Sequence, residues 1–194
     1  MKKILIITAH PSQHSFTFAI AHSYTNAAKK HAATIENINL YQDTKYQQSF
    51  VSFEEAKETW TQQDIRDAIQ EKISWADELV FIYPTWWSAA PAIMKNFFDN
   101  NFTAGFAFTY QNGKPKGLLT SKTVRIFTTA DSPAFLFILL KPMLYFTQIK
   151  AIFGFCGMHI ASFDIFSDLA KKRSDKERQK MLALVEKRAL QITS

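Results

Sequence analysis

The alternation of short apolar β-runs with amphipathic helical patterns constrains this chain more than any other feature. Residues 3–8 read as a first strand, after which Phe16, Ile20, Tyr24, Ala27 and Ala28 recur along one side of a helix. Residues 34–40 read as a second strand. Thr61 and Asp64 have capping-box spacing, with the acid shortened from Glu, and precede Ile65, Ile69 and Ile73 at helical intervals. A third strand falls at 78–83, a helix at 89–101 with Pro91 in its first turn, and a fourth strand at 123–128. A long apolar helical segment comes next. It leads to a fifth strand at 159–166, just after Gly157, and to a last helix opened by the capping-box pair Ser174 and Glu177. Such alternation demands right-handed crossovers and a parallel sheet with helices on both faces. Five strands fit the order 2-1-3-4-5 better than the six of a full dinucleotide fold, which puts the ligand crevice between the carboxyl ends of strands one and three.

One core suffices for the 194 residues, and no Pro/Gly/Ser-rich linker or charge run divides them, so residues 1–194 are read as a single domain. Hydrophobic residues make up 47% and charged residues 21%, an ordinary globular balance, but 18 Phe is high and predicts rings facing a ligand or a partner subunit. Cys156 is the only cysteine and cannot form an internal disulfide, while the amino-terminal apolar run is too short and strand-like for a signal peptide; a cytoplasmic protein is expected. Residues 135–155 are interrupted by Lys141, Pro142 and Lys150, which predicts a buried or interfacial helix with no transmembrane segment. The net charge of +6 is concentrated near the end of the chain, where Lys171, Lys172, Arg173, Lys176, Arg178, Lys180, Lys187 and Arg188 alternate with Asp175, Glu177 and Glu186. That pattern is a solvated helix face, and no nucleic-acid partner is expected.

Three loops can carry chemistry. After the third strand, Pro84, Thr85, Trp86 and Trp87 offer a slot for a flat ring, or else packing for a core or a dimer contact. The first loop, residues 10–17, lacks glycine, which excludes both the G-x-G-x-x-G fingerprint and the P-loop. It offers instead His10, His14, Ser12, Ser15 and Thr17 at a helix start, an anion site or a simple N-cap by Ser15. The third loop, residues 128–133, either bonds the polar edge of a ring or forms a turn with Asp131 or Ser132 capping the next helix. The five His and one Cys show no metal-ligand spacing, and no G-x-S-x-G is present. His22 and His31 are read as surface residues and His159 as a core histidine in its strand.

These loops carry a resemblance that runs over nearly the whole chain. AHP with SFT at residues 9–17, ADELVF at 76–81, PTWW with PAIMK at 84–95, GFAFTY at 105–110, TT at 128–129 and FCG at 155–157 appear in the order of the NAD(P)H:quinone oxidoreductases. The chain resembles that branch of the flavodoxin-like proteins, which includes quinone reductases, modulators of drug activity and ancillary subunits of potassium-efflux systems. The resemblance implies a flavodoxin-like three-layer sandwich with FMN or FAD at a homodimer interface, reduced by NAD(P)H and reoxidised by a quinone or similar two-electron acceptor in a ping-pong cycle. It implies that His10, Ser15, Phe16 and Thr17 hold the phosphate, that Pro84, Thr85, Trp86 and Trp87 line the isoalloxazine, and that Thr128, Thr129, Ala130 and Asp131 bond its pyrimidine side. Tyr110 is the candidate for covering or protonating the ring. The chain departs from the family pattern at Thr17, where Asn is usual, and at Ala130 and Asp131, which replace a Gly-Gly pair. An electron-carrying flavodoxin and a transporter-bound regulatory subunit docking through 135–155 are the alternative readings.

Overall fold

The computed structural model describes residues 1–51, 62–169 and 173–191. Its central sheet is built from β1 (Lys3–Thr8), β2 (Thr34–Asn39), β3 (Glu78–Pro84), β6 (Thr123–Thr129) and β7 (His159–Phe166), all parallel, in the spatial order β2-β1-β3-β6-β7. Counting only these strands, this is the predicted 2-1-3-4-5 order. The chain order reverses between β1 and β3, whose carboxyl ends therefore open a crevice.

Alternation along each strand sends its side chains to two separate cores. Ile4, Ile6, Val80, Ile82 and Phe127 meet Ile20 and Tyr24 of α1 (Phe16–Lys30) and Val185 of α5 (Asp175–Leu190). Leu5, Ile7 and Phe81 face the other way, toward Ile69 and Ile73 of α2 (Gln63–Trp75) and Met94 and Phe97 of α3 (Ala92–Asn101). Every residue of β3 is buried, as a central strand covered on both faces requires. Much of the phenylalanine excess goes here. Phe81 contacts Phe97, Phe98, Phe102 and Phe153 with ring centroids 4.9–6.5 Å apart.

Several local expectations need correction. The helix predicted from residue 89 begins at Ala92, because Ala89 closes a tight turn with Trp86 and Pro91 takes the N-cap position. A hairpin of β4 (Phe108–Gln111) and β5 (Lys114–Gly117) interrupts the simple alternation. Asn112 and Gly113 at its tip have φ of 52° and 73°, the type I′ geometry that an Asn-Gly pair favours. At Gly117 a Cβ would come within 2.3 Å of the Cys156 backbone carbon, so only glycine lets the hairpin seat there. His159 is exposed at the start of β7, not in the core. The first capping box involves Thr61, outside the described residues, and Gln62 caps α2 without a side-chain bond. The second is present, with Ser174 and Glu177 exchanging bonds at 3.4 and 3.0 Å.

The apolar segment forms one continuous helical element, α4 (Ala134–Leu144), with Pro142 inside it, passing into π-helical turns over Tyr145–Gly154. Its inner side chains Phe137, Leu144, Ile149 and Phe153 are buried, while its outer side is open.

Candidate active site

The crevice at the carboxyl ends of β1, β3 and β6 is a cavity of about 680 Å³. All three predicted loops reach it: His10, Ser15, Phe16 and Thr17 from the first, Pro84, Thr85, Trp86 and Trp87 from the second, and Thr129, Ala130 and Asp131 from the third. Parallel pairing sets this convergence, since the three strands end in register with Thr8 opposite Ile82 and Pro84 opposite Thr129. Thr85 then donates its N–H to the Thr129 carbonyl at 2.7 Å, tying the second loop to the third.

Ser15 occupies the N-cap position of α1 in an extended conformation, yet its hydroxyl caps nothing. Its Oγ is buried without a hydrogen-bond partner at the wall of the cavity. A buried hydroxyl of this kind is costly unless something binds it. The opening turn of α1 adds backbone donors and the positive end of the helix dipole at the same place. His10 Nδ1 lies 3.0 Å from both the amide nitrogen and the carbonyl oxygen of Ser12, which fixes the ring against the first loop whichever nitrogen carries the proton. Thr17, which stands where the family pattern has Asn, is buried, and its hydroxyl lies 3.3 Å from that of Thr129, bracing the first loop against the third.

The aromatic loop is a two-residue turn. Trp86 and Ala89 exchange both backbone bonds at 2.9 Å, and the central residues Trp87 and Ser88 have φ of 51° and 55°. Residues bearing a Cβ are disfavoured there, so the turn holds local strain at the mouth of the cavity. Its consequence is the position of Trp87, which is 100% exposed, with Trp86 exposed beside it and 6.3 Å from the His10 ring. Neither tryptophan is a core residue. Gln148, on the π-helical turns, anchors the turn by donating to the Ser88 carbonyl and accepting the Ala90 N–H at 3.2 Å.

In the third loop, Asp131 and Ser132 do not cap α4. Asp168, from the loop after β7, accepts the Ala134 N–H at 2.8 Å, which leaves both predicted caps lining the cavity. Neither Ala130 nor Asp131 has a positive φ, so replacing the Gly-Gly pair brings no backbone strain. Thr128, predicted at the pyrimidine side, is instead buried, and the cavity wall passes from Pro84 to Thr129 without it. Alternation along β6 turns the two threonines to opposite faces. Tyr110 is exposed on the β4–β5 hairpin and is not part of this wall. Arg178, read in the sequence as part of a solvated helix face, lines the cavity and lies 6.0 Å from the Phe16 ring centroid. No local signal marks it; only the packing of α5 on α1 brings it there. Lys171 and Lys172 of the same basic run lie outside the described residues. Cys156 is buried, which pushes its thiol up to about 11 and keeps it protonated near neutral pH.

A parallel sheet in this order with an anion-ready helix start and an aromatic rim defines a flavodoxin-like protein. The family model described as flavodoxin-like fold matches residues 2–189, and the chain belongs to that family. It is 31% identical over 188 residues to an uncharacterized NAD(P)H oxidoreductase of Haemophilus influenzae, covering 93% of this chain and 90% of that one. It is 29% identical to the FMN-dependent NADH:quinone oxidoreductase 2 of Mesoplasma florum, covering 87% and 85%. The chain spans about half (55%) the length of the rat NAD(P)H dehydrogenase (quinone) 1, which it matches at 29% identity over 68% of its own residues. Among solved structures, the Streptococcus mutans protein Smu.1420 superposes with a TM-score of 0.78 at 30% identity, covering 98% of this chain and 100% of that one.

Proposed function

We propose that this protein is a flavin-dependent NAD(P)H oxidoreductase that reduces quinones or similar two-electron acceptors. The unpartnered Ser15 hydroxyl carries the reading: it faces the same cavity as the exposed tryptophan turn, so one ligand with a phosphate at one end and a flat ring at the other meets both demands. A flavin mononucleotide has that shape. When bound, it supplies hydride transfer between nicotinamide and acceptor. Ser15, the His10 ring, the first amides of α1 and Arg178 would hold the phosphate. Thr85 and Trp86 would border the ring, and Trp87 would cover its open side, excluding water. The polar groups of Thr129, Asp131 and Ser132 would orient the ring's pyrimidine edge. The names of the Haemophilus and Mesoplasma relatives support the activity, and the latter supports FMN over FAD.

We further propose a cytoplasmic homodimer. The exposed Tyr110, kept out of its own cavity, stands on a projecting hairpin where a second subunit's cavity can receive it, which would account for a ring-covering role. Purified protein should show the yellow flavin absorbance and release FMN by mass spectrometry. It should oxidise NAD(P)H in the presence of menadione with alternating-substrate kinetics. Protein that stays colourless with added FMN and FAD would defeat the flavin reading, and flavin-loaded protein with negligible turnover would return it to the electron carriers.

A further inference from the structure

Two helices begin beside the cavity, and their first amides are served differently. At α1 the hydroxyl of the N-cap residue Ser15 bonds nothing, which leaves that helix start open to a ligand. At α4 the N-cap position is taken by Pro133, which has no side-chain acceptor, and the Ala134 N–H is bound instead from 34 residues away, by Asp168 Oδ2 at 2.8 Å. Asp131 and Ser132 carry side-chain oxygens and stand just before that helix, where a local cap would come from. The remote carboxylate takes that role, and both residues line the cavity.

The backbone of Asp168 is bent to reach this point. Its φ of 60° is the left-handed conformation, which Asp adopts more readily than most residues with a Cβ but still at a cost. So placed, it grips the third loop twice: its own N–H donates to the Ser132 carbonyl at 2.9 Å while its carboxylate takes the Ala134 N–H. Two backbone bonds run alongside, from the Ala130 N–H to the Phe166 carbonyl at 2.8 Å and from the Leu169 N–H to the Ala130 carbonyl at 3.2 Å. Arg173 then fixes the carboxylate, donating to it at 3.0 Å and to the Ser167 carbonyl at 3.1 Å. With side chains only 19% and 13% exposed, the Arg173–Asp168 pair is little screened by solvent and holds its geometry better than a surface pair.

We infer that Asp168 is a positioning residue for the flavin ring: by capping α4 from the loop after β7, with Arg173 holding its carboxylate, it releases Asp131 and Ser132 to meet the ring's pyrimidine edge. The inference rests on the flavin reading above. Asp168 is not part of the cavity wall, so it acts only through the third loop. Without the remote carboxylate, Ser132 or Asp131 turns back to the Ala134 N–H, an exchange that keeps the helix capped and withdraws polar groups from the cavity.

The test is titration of the flavin-free full chain with FMN and with riboflavin, which carries the ring without the phosphate. Asp168→Gly suits the positive φ and keeps the backbone bond to Ser132, so it removes the carboxylate alone. Its unfolding midpoint should stay close to the parent's, while riboflavin and FMN should each bind about tenfold more weakly. Arg173→Met should weaken both about threefold and add nothing to Asp168→Gly, because the two act through one carboxylate. Asp168→Asn keeps an acceptor for the Ala134 N–H and should lose only about threefold as well. Asp131→Ala with Ser132→Ala should weaken riboflavin in the parent and change nothing in the Asp168→Gly background, a non-additivity that a purely structural role does not produce. Variants with parental affinity for both flavins, additive losses between the loop pair and position 168, or an Asp168→Gly midpoint that falls in step with affinity would each overturn the inference and leave the flavin reading intact. Parent protein that binds neither flavin would overturn that reading and this inference with it.

Discussion

The two rims of the sheet are opposites. At the amino-terminal rim, polar groups are buried and matched: Glu78, 1% exposed, receives the Arg125 Nε at 3.0 Å, pairs with Lys2 at 2.6 Å and accepts the Tyr24 hydroxyl. Burial, followed by the neighbouring Glu78 carboxylate, holds the Tyr24 phenol well above its usual range, so it remains a donor. Lys122 joins the same end by donating to the carbonyls of Ser74 and Ala76, both at 2.6 Å. At the carboxyl-terminal rim, Ser15 has no partner, two residues bearing Cβ atoms sit at positive φ, and an indole stands in water. One rim holds its buried charges in ion pairs within the fold. The other keeps unmet bonding capacity and strain, which is the signature of a surface shaped for a ligand.

If that division is real, damage to one rim should spare the other. Arg125→Met should have the largest effect, lowering unfolding free energy by about 3–5 kcal/mol because it leaves the Glu78 carboxylate buried with part of its compensation removed. Urea unfolding measures this. Flavin affinity of the folded fraction, titrated at low temperature, should stay within twofold of the parent. Parallel loss of stability and affinity would show that the rims are coupled and break the comparison.

Trp87→Ala is the mirror experiment. It should weaken flavin retention about tenfold, the scale of one lost ring contact, while leaving the unfolding midpoint nearly unchanged, since this side chain buries nothing in the fold. Equal flavin content in variant and parent would remove Trp87 from the site. Ser15→Ala separates the anion site from the helix cap more finely. A working cap would lose about 1 kcal/mol of stability on truncation. With the hydroxyl bonding nothing in the fold, stability should hold or rise, and FMN affinity should fall about fivefold.

How far such a division can be read in sequence depends on whether its signals are local. Strand runs, helix periodicity and the Ser174 and Glu177 cap are local, and their topology then follows from crossover handedness, so the 2-1-3-4-5 order was within reach. The three loops were legible for the same reason, since they follow the strands that the order brings together. Arg178 was not, because nothing in the basic run distinguishes it from Lys176 or Lys180 until α5 is packed on α1. The strained turn was also hidden. Trp87 and Ser88 carry no glycine to mark positive φ, whereas Asn112 and Gly113 announce the hairpin that the alternation alone passes over.

That strained turn gives the smallest and most discriminating prediction. Ser88→Gly relieves one of the two positive φ angles without removing a side-chain contact of the core, and should raise stability by about 0.5–1 kcal/mol. The same change loosens the turn that holds Trp87 out, so flavin dissociation should quicken by about twofold while the carbonyl of residue 88 still accepts from Gln148. Chemical denaturation and stopped-flow release of FMN read the two effects separately. Gains in both stability and flavin residence time would mean that the strain at this rim serves no ligand.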